Sequence, residues 1–262
     1  MSGFVYVNGF LMAKPVLCLL IRILKEKEIW LDFLNSFTTY EIFVVIDDNS
    51  IDCVSEYSSQ YTNIHFVQID NEICKANGYI NCNSCVGFNE VISWDKALYY
   101  FNRVYKDYTD IWFIEDDVFF LSEESIKDID NQYTESDLLT AFHEVNESGE
   151  MYSWNHWVNV INKIELPWCH SMVCACRMSR ELMIKVDEYV KRHGQLYFIE
   201  SIFNTLAHQN KMKIDNPSEL SSVHWNTAWD KDHIDGKKIY HPFKNIDDHL
   251  YIRQKLQNSY RV

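Results

Sequence analysis

The sequence predicts an α/β protein: a mostly parallel sheet with flanking helices, followed by a smaller mixed half. Three observations carry that expectation. Short apolar runs alternate with helix-patterned segments through the first half, the order expected of strand–helix–strand units with right-handed crossovers. Two acidic clusters fall just past predicted strands, where open α/β sheets bind their ligands. Only 7 Gly and 4 Pro occur among 262 residues that are 47% hydrophobic. That argues against linkers or low complexity and for one large core.

The elements follow in order. Residues 15–22 form a continuous apolar run, the mark of a strand buried on both faces. Residues 25–37 place Ile29, Trp30, Phe33 and Leu34 at helical spacing. Residues 41–46 form a second buried strand ending in Asp47-Asp48-Asn49-Ser50, where Asn49 or Ser50 caps a short helix running toward residue 58. Residues 64–69 are a third strand, and 70–88, rich in Asn, Cys and Gly, a loop. Residues 93–105 form an amphipathic helix feeding a strand at 111–114. In the second half, 137–142 and 171–177 read as strands. Residues 179–192 form a helix capped by Ser179 and closed by Gly194, and 199–209 form another. The tail from residue 215 is loop-rich and aromatic.

A net charge of −14 repels phosphate backbones and disfavours a nucleic-acid partner. A nucleotide-bearing small molecule escapes that objection, because a divalent cation can join carboxylates to a diphosphate. The apolar run 15–21 is too short to span a bilayer, is closed by Arg22 and lacks a cleavage site, so no signal peptide or membrane span is expected. Cys74, Cys82 and Cys85 lack a second metal-binding pair, and Cys174-x-Cys176 lacks finger spacing. The eight cysteines are therefore expected as reduced thiols in a cytoplasmic setting. Heavy use of Asn, Ile, Lys and Tyr suggests an AT-rich genome, such as that of a large DNA virus or a protist.

Carboxylates gathered at a strand end repel one another unless a cation joins them. Glu115-Asp116-Asp117 is bracketed by Trp112-Phe113-Ile114 and Val118-Phe119-Phe120, which pin the triplet between buried segments. A solvated loop is rarely held so tightly. A bound Mn²⁺ or Mg²⁺ would relieve the repulsion and keep coordination sites for phosphates.

Phe113-Ile114-Glu115-Asp116-Asp117-Val118 resembles the DxD-type motif of GT-A glycosyltransferases, in its EDD form. The resemblance implies a single GT-A domain across residues 1–262. Residues 12–120 would bind the nucleotide sugar, and 121–262 would bind the acceptor and carry a C-terminal metal-site tail. It also implies a nucleoside-diphosphate sugar, UDP-hexose or UDP-N-acetylhexosamine by default, held through Mn²⁺ or Mg²⁺ ligated by Asp117. Asp116 and Glu115 would contact the ribose, the metal shell or the sugar. Val-Val-Ile-Asp-Asp-Asn-Ser resembles the family's base-recognising segment, giving that role to Asp48 or Asp47, although Asn49 replaces the usual Gly. Lys96, twenty residues before Asp116, stands where the family often places a base for the diphosphate. In Ile239-Tyr240-His241-Pro242-Phe243-Lys244, His241 would complete the metal shell and Lys244 would neutralise the leaving phosphate.

Displacement at an anomeric carbon requires a base for the acceptor hydroxyl. Glu200, at the start of the apolar stripe Ile199, Phe203, Leu206, matches the family's placement of that base and implies inversion. Aromatic residues cluster at 152–157 and again at Trp225 and Trp229. From the first cluster, Trp154 and Trp157 are candidates to stack on an acceptor that is a glycan or glycoprotein. The rival readings are a non-catalytic carbohydrate-binding protein with a GT-A-like shell and a metal-dependent phosphohydrolase. A P-loop and a dinucleotide fingerprint are both absent from the sequence.

Overall fold

The protein is described by a computed structural model covering residues 6–7, 10–11, 13–83 and 89–259. Cys85 and the end of the predicted 70–88 loop lie outside these residues. The strands are β1 (Lys14–Ile21), β2 (Glu41–Ile46), β3 (Ile64–Gln68), β4 (Tyr108–Glu115), β5 (Leu138–Leu139), β6 (Glu144–Asn146), β7 (Trp168–His170), β8 (Ala175–Ser179), β9 (Ile214–Asp215), β10 (Ser222–Val223) and β11 (Tyr240–His241). The helices are α1 (Ile29–Asn35), α2 (Cys53–Tyr57), α3 (Asn71–Ala76), α4 (Ser93–Tyr99), α5 (Glu123–Gln132), α6 (Arg180–His193), α7 (Ile199–Gln209) and α8 (Ile246–Ser259).

Seven strands form the main sheet in the order β9-β5-β8-β4-β1-β2-β3. β4, β1, β2 and β3 pair in parallel, and β8 runs antiparallel to both β4 and β5. The alternation of side chains across a strand explains the unbroken apolar runs. Val16, Cys18 and Leu20 of β1 enter one core with Ala97, Leu98 and Phe203. Leu17, Leu19 and Ile21 enter the other with Leu31, Leu34 and Ile126. The sheet thus has a helical layer on each face.

The expected elements of the first half are present, with β4 extending to both sides of 111–114. Three corrections belong to local chemistry. α2 is capped by Asp52, which accepts from the Ser55 amide at 3.0 Å, while Asp48 is occupied with Ser50. The expected loop at 70–88 begins with α3, capped by Asp70 on the Glu72 amide at 2.7 Å. The tail carries β10, β11 and α8. Later in the chain the expected strand 137–142 shrinks to β5, and 171–177 shifts to β8. Helix α6 has the expected Ser179 cap and a left-handed Gly194. The seven described cysteines are all free and buried. Among the described residues no helix is long and apolar enough to cross a membrane.

Candidate active site

The parallel run of β2, β1 and β4 brings their carboxyl ends to one edge of the sheet. Register pairs Ile21 with Ile46 and Leu20 with Glu115. Because β8 is antiparallel to β4, its amino end reaches the same edge, and the Glu115 amide donates to the Cys174 carbonyl at 2.9 Å. The segment preceding β8 then recruits α7: the Ser171 amide donates to the Glu200 carbonyl at 2.9 Å. The tail arrives by a separate route. Phe119 and Tyr240 exchange both backbone hydrogen bonds, at 2.8 and 2.9 Å, and the Phe243 amide donates to the Asp117 carbonyl at 2.6 Å. These ties set His241 against Asp117.

Nε2 of His241 lies 3.2 Å from Oδ1 of Asp117, and its Nδ1 lies 2.6 Å from the His224 carbonyl. A proton on Nδ1 satisfies that carbonyl and directs Nε2 toward the carboxylates. Burial disfavours charge at Asp117, but the hydrogen bond and charge of His241 outweigh it and hold the carboxyl below its ordinary value. Glu115 accepts from the Trp94 indole at 2.7 Å, and burial pushes its carboxyl up. The ligand atoms of Glu115, Cys174 and His241 lie within 4.8 Å of one another. The Cys174 thiol, beside three acids, is pushed well up by burial and by Glu115, and stays protonated.

Glu200 joins this group from the first turn of α7. It is 9% exposed; burial and then the charge of Glu115 push its carboxyl up to about 7, against the pull of His241. Four expected residues therefore converge: Glu115, Asp117, Glu200 and His241. The contacts of Lys27, Trp94, Cys174 and His224 had no signal in the sequence, because only strand register and tail pairing bring them here.

The other candidates are placed differently. Asp116 forms an ion pair with Lys27 at 2.8 Å, and its carbonyl accepts from the Trp30 indole at 3.1 Å. Lys96 is 0% exposed. Its ammonium donates to the Asp47 carbonyl and lies 3.3 Å from Asn49 Oδ1 and 3.5 Å from Asp47 Oδ1. It braces the loop after β2 from beneath, and in this arrangement cannot meet a diphosphate. Asp48 folds back on Ser50, through its amide at 2.8 Å and its hydroxyl at 2.9 Å. Asp47 and Asp48 line a groove of about 480 Å³ with Arg22, Asn71 and Lys75. The groove lies two strand positions from β4 in the sheet order, about 10 Å. Lys244 is exposed.

The two tryptophans also separate. Trp157 is 1% exposed, with its indole nitrogen on the Ser153 hydroxyl at 2.9 Å. It is a core residue with no face left for a glycan. Trp154 is half-buried, stacked on His170 at 4.2 Å and 7°, and on Phe198 at 5.6 Å. Trp154 thus packs against the residue that directly precedes α7, the helix that carries Glu200.

No protein-family model and no curated protein matches this sequence. Solved structures do. A galactosyltransferase, LgtC, in complex with donor and acceptor sugar analogues, aligns at 9% identity over 92% of this chain and 95% of its own, with a TM-score of 0.50. An active-site mutant of LgtC aligns at 10% identity with the same coverage and score. A 4-diphosphocytidyl-2C-methyl-D-erythritol synthase from Anaerococcus prevotii aligns at 9% identity over 94% of this chain and 97% of its own, at a TM-score of 0.47. What the LgtC alignments establish is architecture: the chain has the α/β fold of GT-A glycosyltransferases, with a mainly parallel seven-stranded sheet and flanking helices.

Proposed function

We propose that this chain is a metal-dependent glycosyltransferase that moves a sugar from a nucleoside-diphosphate sugar to an acceptor hydroxyl. The observation that carries the reading is the convergence of Asp117, Glu115, His241 and Glu200 at the carboxyl edge of the sheet. Four ionisable groups sit there, half-buried or buried, brought together from sequence positions far apart.

The donor set fits Mn²⁺ or Mg²⁺. The 3.2 Å between Asp117 Oδ1 and His241 Nε2 is close to the about 3 Å edge of an octahedron with bonds near 2.1 Å. Asp117 and His241 would hold the ion, with Glu115 beside them. When bound, it neutralises the diphosphate of the donor and of the leaving nucleotide. Asp47 and Asp48, lining the groove after β2, read the base and ribose. UDP is the expected nucleotide and a hexose or N-acetylhexosamine the expected sugar. Lys244, exposed just past His241, meets the leaving phosphate from the solvent side. Asp116 acts indirectly, by fixing Lys27 and the turn.

Glu200 takes the proton from the acceptor hydroxyl as that oxygen attacks, which makes inversion the expected outcome. A carboxyl poised near 7 is matched to that task, since a base works best when its pKa lies near the working pH. Trp154 provides a stacking edge for a glycan or glycoprotein acceptor.

Thermal melting with UDP or GDP, each with and without Mn²⁺, tests the reading. Metal-dependent stabilisation by a nucleoside diphosphate, with slow hydrolysis of a UDP-sugar that disappears in Asp117→Ala, is the expected result. Stabilisation without turnover would indicate the binding-protein alternative. Phosphate release from a nucleotide without sugar transfer would indicate the phosphohydrolase.

A further inference from the structure

A second group of ligand-type side chains lies at the opposite end of α7, and nothing in the proposed transfer uses it. His143 precedes β6, Cys169 is the middle residue of β7, and His208 sits in the last turn of α7. One ligand atom from each lies within 4.8 Å of the other two. Nε2 of His143 and Nδ1 of His208 are 3.3 Å apart. Two imidazole nitrogens bound to one tetrahedral zinc at about 2.05 Å would be separated by about 3.3 Å, and a thiolate sulfur would stand about 3.6 Å from each. The imidazole pair therefore already has the required spacing, and the sulfur, within 4.8 Å of both nitrogens, needs to close by at most about 1.2 Å.

A plain pair of hydrogen-bonded core histidines accounts less well for the surroundings. An N–H···N contact of 3.3 Å is long beside the usual 2.9–3.0 Å or so. Asn204, with no exposure, lies 2.9 Å by its amide nitrogen from Nδ1 of His143, while its Oδ1 has no partner among the described residues. A half-turn of that amide would bring Oδ1 to Nδ1, where it would accept a hydrogen bond from Nδ1–H and so leave Nε2 with a free lone pair. This is how an outer partner orients a metal-bound imidazole. Thr205, one turn before His208, receives the Cys169 amide on its hydroxyl at 2.9 Å and donates back to the Cys169 carbonyl at 3.1 Å. The backbone carrying the thiol is thus fixed to α7 at both its polar groups.

We propose that His143, Cys169 and His208 form a second metal centre, selective for a borderline transition-metal ion such as Zn²⁺, with its fourth position open to the adjacent cavity. That cavity, of about 740 Å³, is lined by His143, Pro167, His208, Met212 and Ile214, and it gives the ion an entry and a water ligand. Binding replaces the S–H bond of Cys169 with an S–metal bond and releases the proton to solvent. One thiolate and two imidazoles suit zinc, whereas the carboxylate-rich edge suits Mn²⁺ or Mg²⁺. The ion would clamp the carboxyl end of α7 to the β6–β7 ribbon. The site stands whether or not the chain transfers sugar.

The test is cobalt titration of the full chain, stripped with a chelator, followed by displacement with Zn²⁺. One equivalent of Co²⁺ should produce thiolate-to-cobalt charge-transfer absorption that zinc abolishes. Asp117→Ala and Cys174→Ser should retain the signal, and Cys169→Ser should lose it. His208→Gln, at a partly exposed position that folding tolerates more readily, should weaken cobalt affinity at least tenfold. Absence of thiolate absorption in the wild-type chain overturns the proposal. So does a signal that survives Cys169→Ser, one that vanishes instead in Cys174→Ser, or an unchanged affinity in His208→Gln.

Discussion

Helix α7 has a different chemistry at each end. At its amino end Glu200 faces Glu115, Asp117 and His241, mostly oxygen donors, half-buried or buried. At its carboxyl end His208 faces His143 and the fully buried Cys169, nitrogen and sulfur donors beside a cavity of mixed lining. Charge separates them further. The amino end gathers carboxylates that repel one another until a cation arrives. The carboxyl end gathers two imidazoles and a thiol, with no carboxylate among the three. On the proposed readings, a hard ion at one end would act on the reaction, whereas a borderline ion at the other would clamp the helix that carries Glu200. Glu200 and His208 are eight positions apart on one helix, and the two ends differ in the donor atoms they gather.

The strongest way to break that contrast is Asp117→Ala. Loss of a metal ligand at the reacting phosphates should lower UDP-sugar turnover by about 10³-fold or more. The cobalt–thiolate signal at the other end should be unchanged. Turnover within tenfold of wild type would remove Asp117 from the centre.

Glu200→Gln should lower transfer by about 10²–10⁴-fold, the usual contribution of a general base. The same variant has a stability signature. The folded carboxyl titrates near 7 and the unfolded one near 4.3 or so, so the folded state binds the proton more tightly. Wild-type stability without divalent cation should then be highest below the unfolded value and fall as pH rises through about 7. The total fall should be at most on the order of 4 kcal/mol. Urea midpoints at pH 5 and 8 should diverge in wild type and draw together in the glutamine variant. An identical pH slope in both would show that Glu200 is not desolvated.

Lys96→Ala sharpens the comparison by separating support from chemistry. Losing a buried ammonium that satisfies the Asp47 carbonyl should cost about 2–3 kcal/mol of stability. UDP affinity, read by calorimetry on the folded fraction, should change less than threefold or so. A large affinity loss at unchanged stability would restore Lys96 to the diphosphate. The smallest effect is expected from Trp154→Ala, a rise of roughly five- to tenfold in acceptor KM with kcat nearly unchanged, consistent with about 1 kcal/mol of stacking.

Most of the sheet was legible because its strands are buried on both faces, so runs such as Val16–Ile21 stand out without alternation. The helices with long apolar stripes, α6 and α7, were equally plain. What escaped was structure held by contacts rather than pattern. α3 is six residues capped by Asp70, and β10 and β11 are two residues each, defined by one another and by the Phe119 bridge. At the site, Glu115, Asp117, Glu200 and His241 were legible as types at strand and helix ends. Lys96 and Trp157 were not, since a helix periodogram does not say which lysine is buried or which ring is used up in the core. The His143–Cys169–His208 group has no spacing signal at all, because its members come from a loop, a ribbon and a helix end.

The bridge between Phe119 and Tyr240 has a consequence for synthesis. The acidic triplet and its sheet neighbours leave the ribosome long before His241, and the Asp117–His241 pair is complete only when the tail has paired with Phe119. A growing chain therefore carries its acidic edge without the histidine that faces it until that pairing is made.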